Sequence, residues 1–408
     1  MKFKSILATV SVAFLAVSCS NEGVVAEQEA QNSIEFSVSA GKTSRSADYY
    51  CNNHLPSEFT VWAAVEVGDN QFDSYYENES YSKNGLTNEY KITSGITRYW
   101  PDGKKMAFWA AKNYDKFNWN VGEPSTIEFA PKAVANDQLD LIYGYTTAKR
   151  DSKGTSSNFN KGKAGLNFRH ALSQIVFYAK NENKNIWVEV ESIALNNAAK
   201  SGVYTLPSGD NVTNENLIGH EQNQPVKTTG LGSWNLTYDE ENINRYTVDV
   251  KTADGNLVAL NGSAEHATNL TDNGVDSHVD QTATAPRSFL VLPENTTNKW
   301  DPKTVTSVSA TCGTYFTVKC KIRNISGTDG VVKDSDIYLW GSKDEAKELA
   351  IPVDFKWEQG KKYIYTIKFT AKGHAGFDPG DGSDVLIPIE FSVKVDDFGS
   401  VTDNSVDL

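Results

Sequence analysis

The pattern that decides the fold is clearest near the end of the chain, in Val385-Leu386-Ile387-Pro388-Ile389-Glu390-Phe391-Ser392-Val393-Lys394-Val395. Alternate positions are apolar, and the positions between them are mainly polar, with Leu386 as the exception. Successive side chains of a β-strand point to opposite faces of a sheet, so this alternation predicts a strand with one apolar face. Such a strand needs a groove or a sheet that covers that face.

Similar alternating segments, bounded by turn residues, recur along the whole chain, and helical periodicity is almost absent. The 18 Tyr, 18 Phe and 9 Trp residues favour β-structure as well. We therefore predict an all-β protein with a β-sandwich in each half. The predicted strands cover residues 33–39, 59–67, 106–111, 126–130, 139–146, 187–195, 202–206, 245–250, 288–292, 306–310, 315–322, 337–340, 351–357 and 363–370.

With 408 residues, the chain exceeds what one hydrophobic core usually serves. The stretch 149–163 is rich in Ser, Gly, Asn and Lys and marks the predicted domain boundary. The predicted N-terminal β-sandwich domain covers residues 33–160, and the C-terminal β-sandwich domain covers residues 161–375.

The first 18 residues read as a secretory signal, because Lys2 and Lys4 precede an apolar run that is too short to span a bilayer. The run ends in Leu15-Ala16-Val17-Ser18-Cys19, which is similar to a bacterial lipobox. We therefore predict that Cys19 is lipidated and that residues 19–32 form a disordered tether. The alternative is an ordinary signal peptide with an incidental cysteine.

Composition and motifs argue against several classes of function. The net charge of −13 makes nucleic acid an improbable partner, because phosphate binding needs a basic face. The six histidines are scattered without ligand spacing, and no serine elbow, phosphate loop or dinucleotide fingerprint occurs. We predict a non-enzyme without a cofactor or metal. Cys51, Cys312 and Cys320 are predicted to be buried small residues.

The strongest internal feature is a repeated pentapeptide. Ile34-Glu35-Phe36-Ser37-Val38 recurs letter for letter as Ile389-Glu390-Phe391-Ser392-Val393. Two segments with the same facing pattern fit the same groove in turn, so we predict a placeholder strand carrying Ile34, Phe36 and Val38. The predicted donor strand, from a neighbouring copy, carries Val385, Ile387, Ile389, Phe391, Val393 and Val395. Coincidence is the alternative, since Ile127-Glu128-Phe129 repeats the first three letters.

In a polymer, the donor strand of a neighbouring copy would replace the placeholder strand in the groove, and two short segments would serve this exchange. The glycine-rich residues 376–384 are predicted to be a hinge before a donor strand and tail at 385–408. The alternative for this segment is a calcium loop with Asp378, Asp381 and Asp384 as ligands. Arg45 lies in a small, polar stretch suited to proteolysis, and cleavage after it would detach the first strand. Lys42 would serve a trypsin-like protease equally well.

Several segments together resemble the fimbrillin (type V pilin) family of Bacteroidales, including the Mfa-like fimbrillins. They are the Cys19 lipobox, Thr43-Ser44-Arg45, Arg98-Tyr99-Trp100-Pro101, Leu166–Phe177 around Phe168-Arg169-His170-Ala171-Leu172-Ser173, Leu290-Val291-Leu292-Pro293, and Phe355-Lys356-Trp357-Glu358-Gln359-Gly360-Lys361-Lys362-Tyr363. The resemblance implies two transthyretin-like β-sandwiches and export as a lipoprotein to the outer membrane. It also implies release by an arginine-specific protease and donor-strand polymerisation with other subunits into an adhesive surface fimbria.

Two rival functions fit the same sequence. A monomeric surface lipoprotein could bind glycans or a host ligand through exposed aromatic platforms, and Trp100, Trp119, Trp234 and Trp300 lie near turns. The other five tryptophans lie within strand patterns and are predicted core residues. An anchor or accessory subunit of a fimbria is the second rival, and it would keep its lipid and resist cleavage at Arg45.

Overall fold

A computed structural model describes residues 33–40, 55–69, 71–121, 124–149, 159–160, 163–206, 232–237, 245–262, 264–271, 288–296, 300, 313–325, 331–352 and 355–397. Within these ranges the protein consists of strands and turns with one short 3-10 helix, Ala135–Asp137. The all-β prediction is confirmed. None of the helical structure in the described ranges has the length and hydropathy needed to cross a bilayer.

The first part of the chain supplies ten strands. They are β1 Glu35–Ala40, β2 Glu58–Gly68, β3 Gln71–Lys83, β4 Glu89–Ile92, β5 Lys105–Lys112, β6 Lys116–Asn118, β7 Thr126–Phe129, β8 Ile142–Lys149, β9 Phe159–Asn160 and β10 Lys163–His170. Eight of them form one sheet in the order β1-β4-β3-β2-β5-β8-β10-β9. Because β1 pairs with β10 as well as with β4, seven strands close into a ring.

The interior of the ring is a hydrophobic core of apolar and aromatic side chains. It includes Ile34, Phe36 and Val38 at the start of the chain, together with Phe59, Val61, Tyr81, Tyr90, Phe108, Ile142, Leu166 and Phe168 from the other strands. Burial of these side chains removes apolar surface from water and holds the ring together.

Residues after the ring supply the other strands. They are β11 Ser173–Asn181, β12 Ile186–Asn196, β13 Ser201–Thr205, β14 Ser233–Thr237, β15 Arg245–Asp249, β16 Val258–Leu260, β17 Thr268–Asn269, β18 Phe289–Val291, β19 Asn295–Thr296, β20 Tyr315–Asn324, β21 Ile337–Trp340, β22 Lys347–Pro352, β23 Phe355–Lys356, β24 Lys361–Phe377 and β25 Asp384–Asp397. Eleven of them form a second sheet along the path β15-β12-β20-β22-β24-β11-β17, with four strands beside it. β19 and β23 pair separately.

A third sheet joins the two parts of the chain. Its order is β14-β13-β7-β6, so β7, which lies between the ring strands β5 and β8 in the chain, pairs directly with β13, which follows the ring. Together with Trp62, Trp109 and Tyr143 of the ring strands, its Ile127 and Tyr204 form a separate core on the outside of the ring. The outer face of β2, β5 and β8 is therefore covered.

The division between the two large sheets differs from the predicted boundary at residue 160. β10 pairs with β8, β9 and β1, so residues 163–170 belong to the ring, although they were predicted in the C-terminal domain. Only Ala171 and Leu172 separate β10 from β11 of the second sheet. The polar stretch after β8 therefore leads to another strand of the ring. β10 belongs to the ring because it pairs with strands such as β1 that are distant in sequence.

Candidate functional site

The candidate site is the groove of the ring that β1 occupies, between β10 and β4. β1 runs parallel to β10 with Glu35 opposite Lys163 and Ala40 opposite Phe168, and antiparallel to β4 with Phe36 opposite Tyr90. Further backbone hydrogen bonds run from Ile34 N to Arg98 O (2.7 Å) and from Val38 N to Asn88 O (2.9 Å). β1 is therefore held along both of its edges.

The inward face of β1 fills this groove with three apolar side chains. The exposed fractions of Ile34, Phe36 and Val38 are 1%, 0% and 3%. The Phe36 ring meets Tyr81, Phe108 and Phe59 edge to face, with centroid distances of 4.9, 5.1 and 6.1 Å. These edge-to-face contacts add to the hydrophobic gain of burial. The sequence pattern thus identified side chains that pack at the ring centre, and their placeholder role remains a prediction.

The other face of β1 carries a charge cluster. The Glu35 carboxylate lies 3.5 Å from Lys91 Nζ and 3.9 Å from Lys163 Nζ, and Lys163 Nζ lies 2.5 Å from Glu89 Oε1. Glu35 and Lys163 are largely shielded, whereas half of the Lys91 side chain is exposed. The two lysines thus come from the two strands that flank β1, and both face its carboxylate.

A second ion pair lies beside the ring core. Arg98 pairs with Glu79 and lies over the Tyr76 ring, and the hydroxyl groups of Tyr76 and Tyr81 are 2.9 Å apart. Burial alone would raise the pKa of Glu79, but hydrogen bonds from Ser94 and Arg98 outweigh burial and hold that pKa below its ordinary value. Burial raises the pKa of both tyrosines, so they stay neutral hydrogen-bonding groups.

The second copy of the pentapeptide lies in β25, a strand at the border of the second sheet. β25 pairs antiparallel with β24, from Lys361 opposite Asp397 to Phe377 opposite Asp384, and pairs with no other described strand. Val385, Ile387 and Ile389 are buried in the second core, and Phe391 is half-buried against it. The exposed fractions of Val393 and Val395 are 46% and 52%. The apolar face of β25 therefore extends beyond its own core.

The predicted hinge, residues 376–384, contains a hydrogen-bonded turn. Asp378 N and Gly382 N donate to Ser383 O and Asp378 O at 2.9 and 2.8 Å, and Gly380 N donates to Asp378 Oδ1 at 2.9 Å. Asp378 also pairs with Lys347, and Asp381 Oδ1 accepts a hydrogen bond from Ser383 N. These carboxylates thus serve the turn, and the described residues contain no group of three acidic, His or Cys residues that could hold a metal ion. The hinge role remains a prediction.

Other predicted site residues lie apart from the groove or outside the described ranges. Cys19, Arg45, Cys51 and Cys312 fall outside the described residues. Cys320 is a free, buried cysteine, as predicted, and burial raises its thiol pKa. His170 Nδ1 lies 2.7 Å from Asp140 Oδ2.

The tryptophans do not form an exposed platform. All nine are described, and none of them is exposed. Trp62, Trp100, Trp109, Trp300 and Trp357 are buried, and Trp119, Trp187, Trp234 and Trp340 are half-buried. Two of the four tryptophans predicted near turns, Trp100 and Trp300, therefore pack in the interior. A glycan site built on a row of exposed indole rings has no support in this arrangement.

Residues 52–379 match the model of the fimbrillin-like family, and the chain belongs to that family. Similar solved structures include a fimbrial protein from Bacteroides vulgatus ATCC 8482, at 15% identity and a TM-score of 0.46, covering 88% of this chain and 98% of that one. Another is a protein from Bacteroides ovatus ATCC 8483, provisionally assigned to cell adhesion, at 13% identity and a TM-score of 0.45, covering 91% and 98%. Among proteins of curated function, none matches the sequence.

Proposed function

We propose that this protein is a structural subunit of a cell-surface fimbria that polymerises by strand exchange. The proposal depends on the different surroundings of the two copies of the pentapeptide. One copy closes the ring as β1, and the other lies in the border strand β25 with its apolar face half uncovered. Both copies fall outside the residues that match the family model, so their geometry supports the exchange independently.

Departure of β1 would open a groove suited to another strand. The backbone groups of β10 and β4 that now pair with β1 would lose their partners, and unpaired strand edges accept added strands. The interior would expose the pocket that Phe36 fills. Such a groove favours an extended segment with alternate apolar side chains, which describes β25.

The balance of buried apolar surface favours transfer of the last part of β25. Of Ile389, Phe391 and Val393, only Ile389 is fully buried in the second sheet, whereas Ile34, Phe36 and Val38 are all buried in the ring. Once β1 has left the ring of a neighbour, moving the segment there would also bury the exposed parts of Phe391 and Val393. Full burial of such a side chain contributes about 1.5–3 kcal/mol, so these two partly buried residues gain a fraction of that each.

The chain needs a step that frees the groove. A strand tethered to its own groove has an effective concentration near the millimolar range, so β1 outcompetes a neighbour while it stays attached. Cleavage after Arg45, five residues beyond the end of β1, would remove the tether. It would also separate the subunit from the lipid on Cys19 that holds it at the outer membrane before processing. We propose an arginine-specific or trypsin-like protease for this step.

The test is polymerisation of the purified chain after limited cleavage at arginine. We expect uncut chains to stay monomeric and cut chains to form ladders of oligomers in light scattering and negative-stain micrographs. Two matched controls are Arg45→Ala with Lys42→Ala, which resists the cut, and a chain that ends at residue 384, which lacks the donor. Solitary molecules after complete cleavage of the unaltered chain would refute the proposal.

A further inference from the structure

Alternation alone does not fix how far β25 would enter the groove. Six apolar side chains stand two residues apart on β25, and a shift by two residues turns the same face inward. A polymer of uniform repeat needs one register. Two properties of the groove that β1 occupies favour one register over the others. The first depends on the size of an inward side chain, and the second depends on the charge of an outward side chain.

The first property is the aromatic pocket. Phe36 lies among the rings of Phe59, Tyr81 and Phe108, and its own side chain is fully buried. Phe391 is the one aromatic residue on the apolar face of β25. Any register that offers Ile389 or Val393 to this pocket leaves part of it empty, and such cavities are destabilising.

The second property is the pair of lysines on the opposite face. Lys91 and Lys163 flank the Glu35 carboxylate at 3.5 and 3.9 Å. When Phe391 takes the place of Phe36, Glu390 takes the place of Glu35. A shift by two residues in either direction puts Pro388 or Ser392 there, and neither brings a negative charge to the lysines.

We propose that Glu390 and Phe391 set a single register, in which they take the places of Glu35 and Phe36 in the next subunit. The inference rests on the proposed function and specifies its interface. The donor strand then runs parallel to β10 and antiparallel to β4 of the receiving copy. Ile389 N and Val393 N replace the two amides that donate to Arg98 O and Asn88 O, and Pro388 falls at the place of Ser33, before β1 begins.

The first test is charge reversal in the full chain after cleavage at arginine. Glu390→Lys puts a third positive charge beside the two lysines, so we expect polymerisation to slow about tenfold, with the difference shrinking in high salt. Combining Glu390→Lys with Lys91→Glu, at the half-exposed lysine on β4, restores a pair of opposite charges and keeps the Lys163–Glu89 pair, so it should recover most of the rate. Asp384→Lys is the matched control, because it makes the same charge change on β25 outside the predicted contact. It should polymerise like the unaltered chain.

The second test reads the register directly. Ser39 of β1 lies opposite Asn167, so the proposal puts Lys394 opposite Asn167 of the next subunit. Asn167→Cys with Lys394→Cys should give a ladder of covalent dimers and higher oligomers on a non-reducing gel after cleavage, because paired Cα atoms lie within disulfide reach and the contact repeats at every junction. Asn167→Cys with Asp396→Cys should not, and mass spectrometry of the linked peptides separates these disulfides from bonds of the native cysteines.

The outcomes separate the two proposals. Unaltered chains that stay monomeric after cleavage overturn the exchange and its register together. Unaltered chains that polymerise overturn only the register if Glu390→Lys polymerises at the same rate, or if the Asp396→Cys pair forms the cross-link. A slowed Glu390→Lys chain, its recovery by Lys91→Glu and a cross-link through Lys394→Cys support the register.

Discussion

Phe36 and Phe108 meet edge to face in the ring interior, with centroids 5.1 Å apart and ring planes perpendicular. Phe108 belongs to β5 on the far side of the ring order, whereas Phe36 belongs to the strand that closes it. The proposed placeholder thus contributes a central side chain of the core. The packing of Phe36 therefore stabilises the free subunit and, for the same reason, opposes the departure of β1.

We predict that Phe36→Ala destabilises the uncut protein by about 3–5 kcal/mol, because it removes a fully buried aromatic side chain and leaves a cavity. Urea unfolding followed by tryptophan fluorescence measures the loss. After cleavage, the variant should also polymerise faster, since its β1 is held less tightly. Ser37→Ala, on the next position of the same strand, should change stability by no more than about 0.5 kcal/mol. Equal losses in the two variants would contradict the packing described for β1.

Val393→Lys should leave the uncut protein nearly as stable as the unaltered chain, within about 0.5 kcal/mol, because Val393 is 46% exposed on β25. In the proposed polymer the same side chain would lie where Val38 is buried, and an unpaired buried charge is costly. The variant should therefore fail to form oligomers in light scattering. Lys394→Ala, whose side chain would face outward, should assemble normally. Normal assembly of Val393→Lys would argue against an inward-facing Val393.

Stability of the second sheet should depend on pH through Asp336. Its Oδ2 lies 2.5 Å from the guanidinium of Arg323, which is fully buried. The backbone amide of Lys333 and Arg323 hold the pKa of Asp336 below its ordinary value of 3.8, against the opposing effect of burial. A lowered folded-state pKa contributes stability above 3.8 that is lost as the pH falls through the folded value.

We therefore expect Asp336→Asn to lower the urea midpoint at pH 7 and to have less effect as the pH falls below 3.8. Asp334→Asn, at an exposed position two residues earlier, should leave the midpoint unchanged at both pH values. A difference between Asp336→Asn and the unaltered chain that stays constant with pH would show that the carboxylate charge does not act through this pair.

The thiol of Cys320 should be unreactive in the native protein. The residue is buried in β20, and burial raises its pKa, so the reactive thiolate is scarce and inaccessible. Iodoacetamide labelling mapped by mass spectrometry should leave the peptide with Cys320 unmodified in buffer and modified in urea. Labelling of this peptide in buffer would mean that the second core opens locally.

The alternation of apolar and polar residues predicted those strands whose two faces have different surroundings. Ile34, Phe36 and Val38 point inward as their spacing indicates, and the pattern in β2 and β12 was equally readable. β3, Gln71–Lys83, was missed because most of its residues are polar and only three of the thirteen are buried. Its Tyr76 and Tyr81 reach the ring core, and two aromatic residues five apart do not give a strand signal.

Pairing between distant strands could not be predicted from the sequence. The identical letters of the two pentapeptides predicted equal facing, but Val38 is sealed inside the ring while Val393 is half exposed. The neighbours decide this difference, since β1 has a partner on each side and β25 pairs with β24. The parallel pairing of β1 with β10 and the sheet that joins β7 to β13 likewise depend on tertiary contacts.

The two-residue connection Ala171-Leu172 has a mechanical consequence. It links β10, the parallel neighbour of β1, to β11, the parallel neighbour of β24, which in turn holds β25. In a fibre assembled as proposed, tensile force would enter a subunit through a strand seated beside β10 and leave through β25. Force would thus cross only a few residues of connecting chain, and each strand pair would be loaded along its length in shear, with its hydrogen bonds sharing the load.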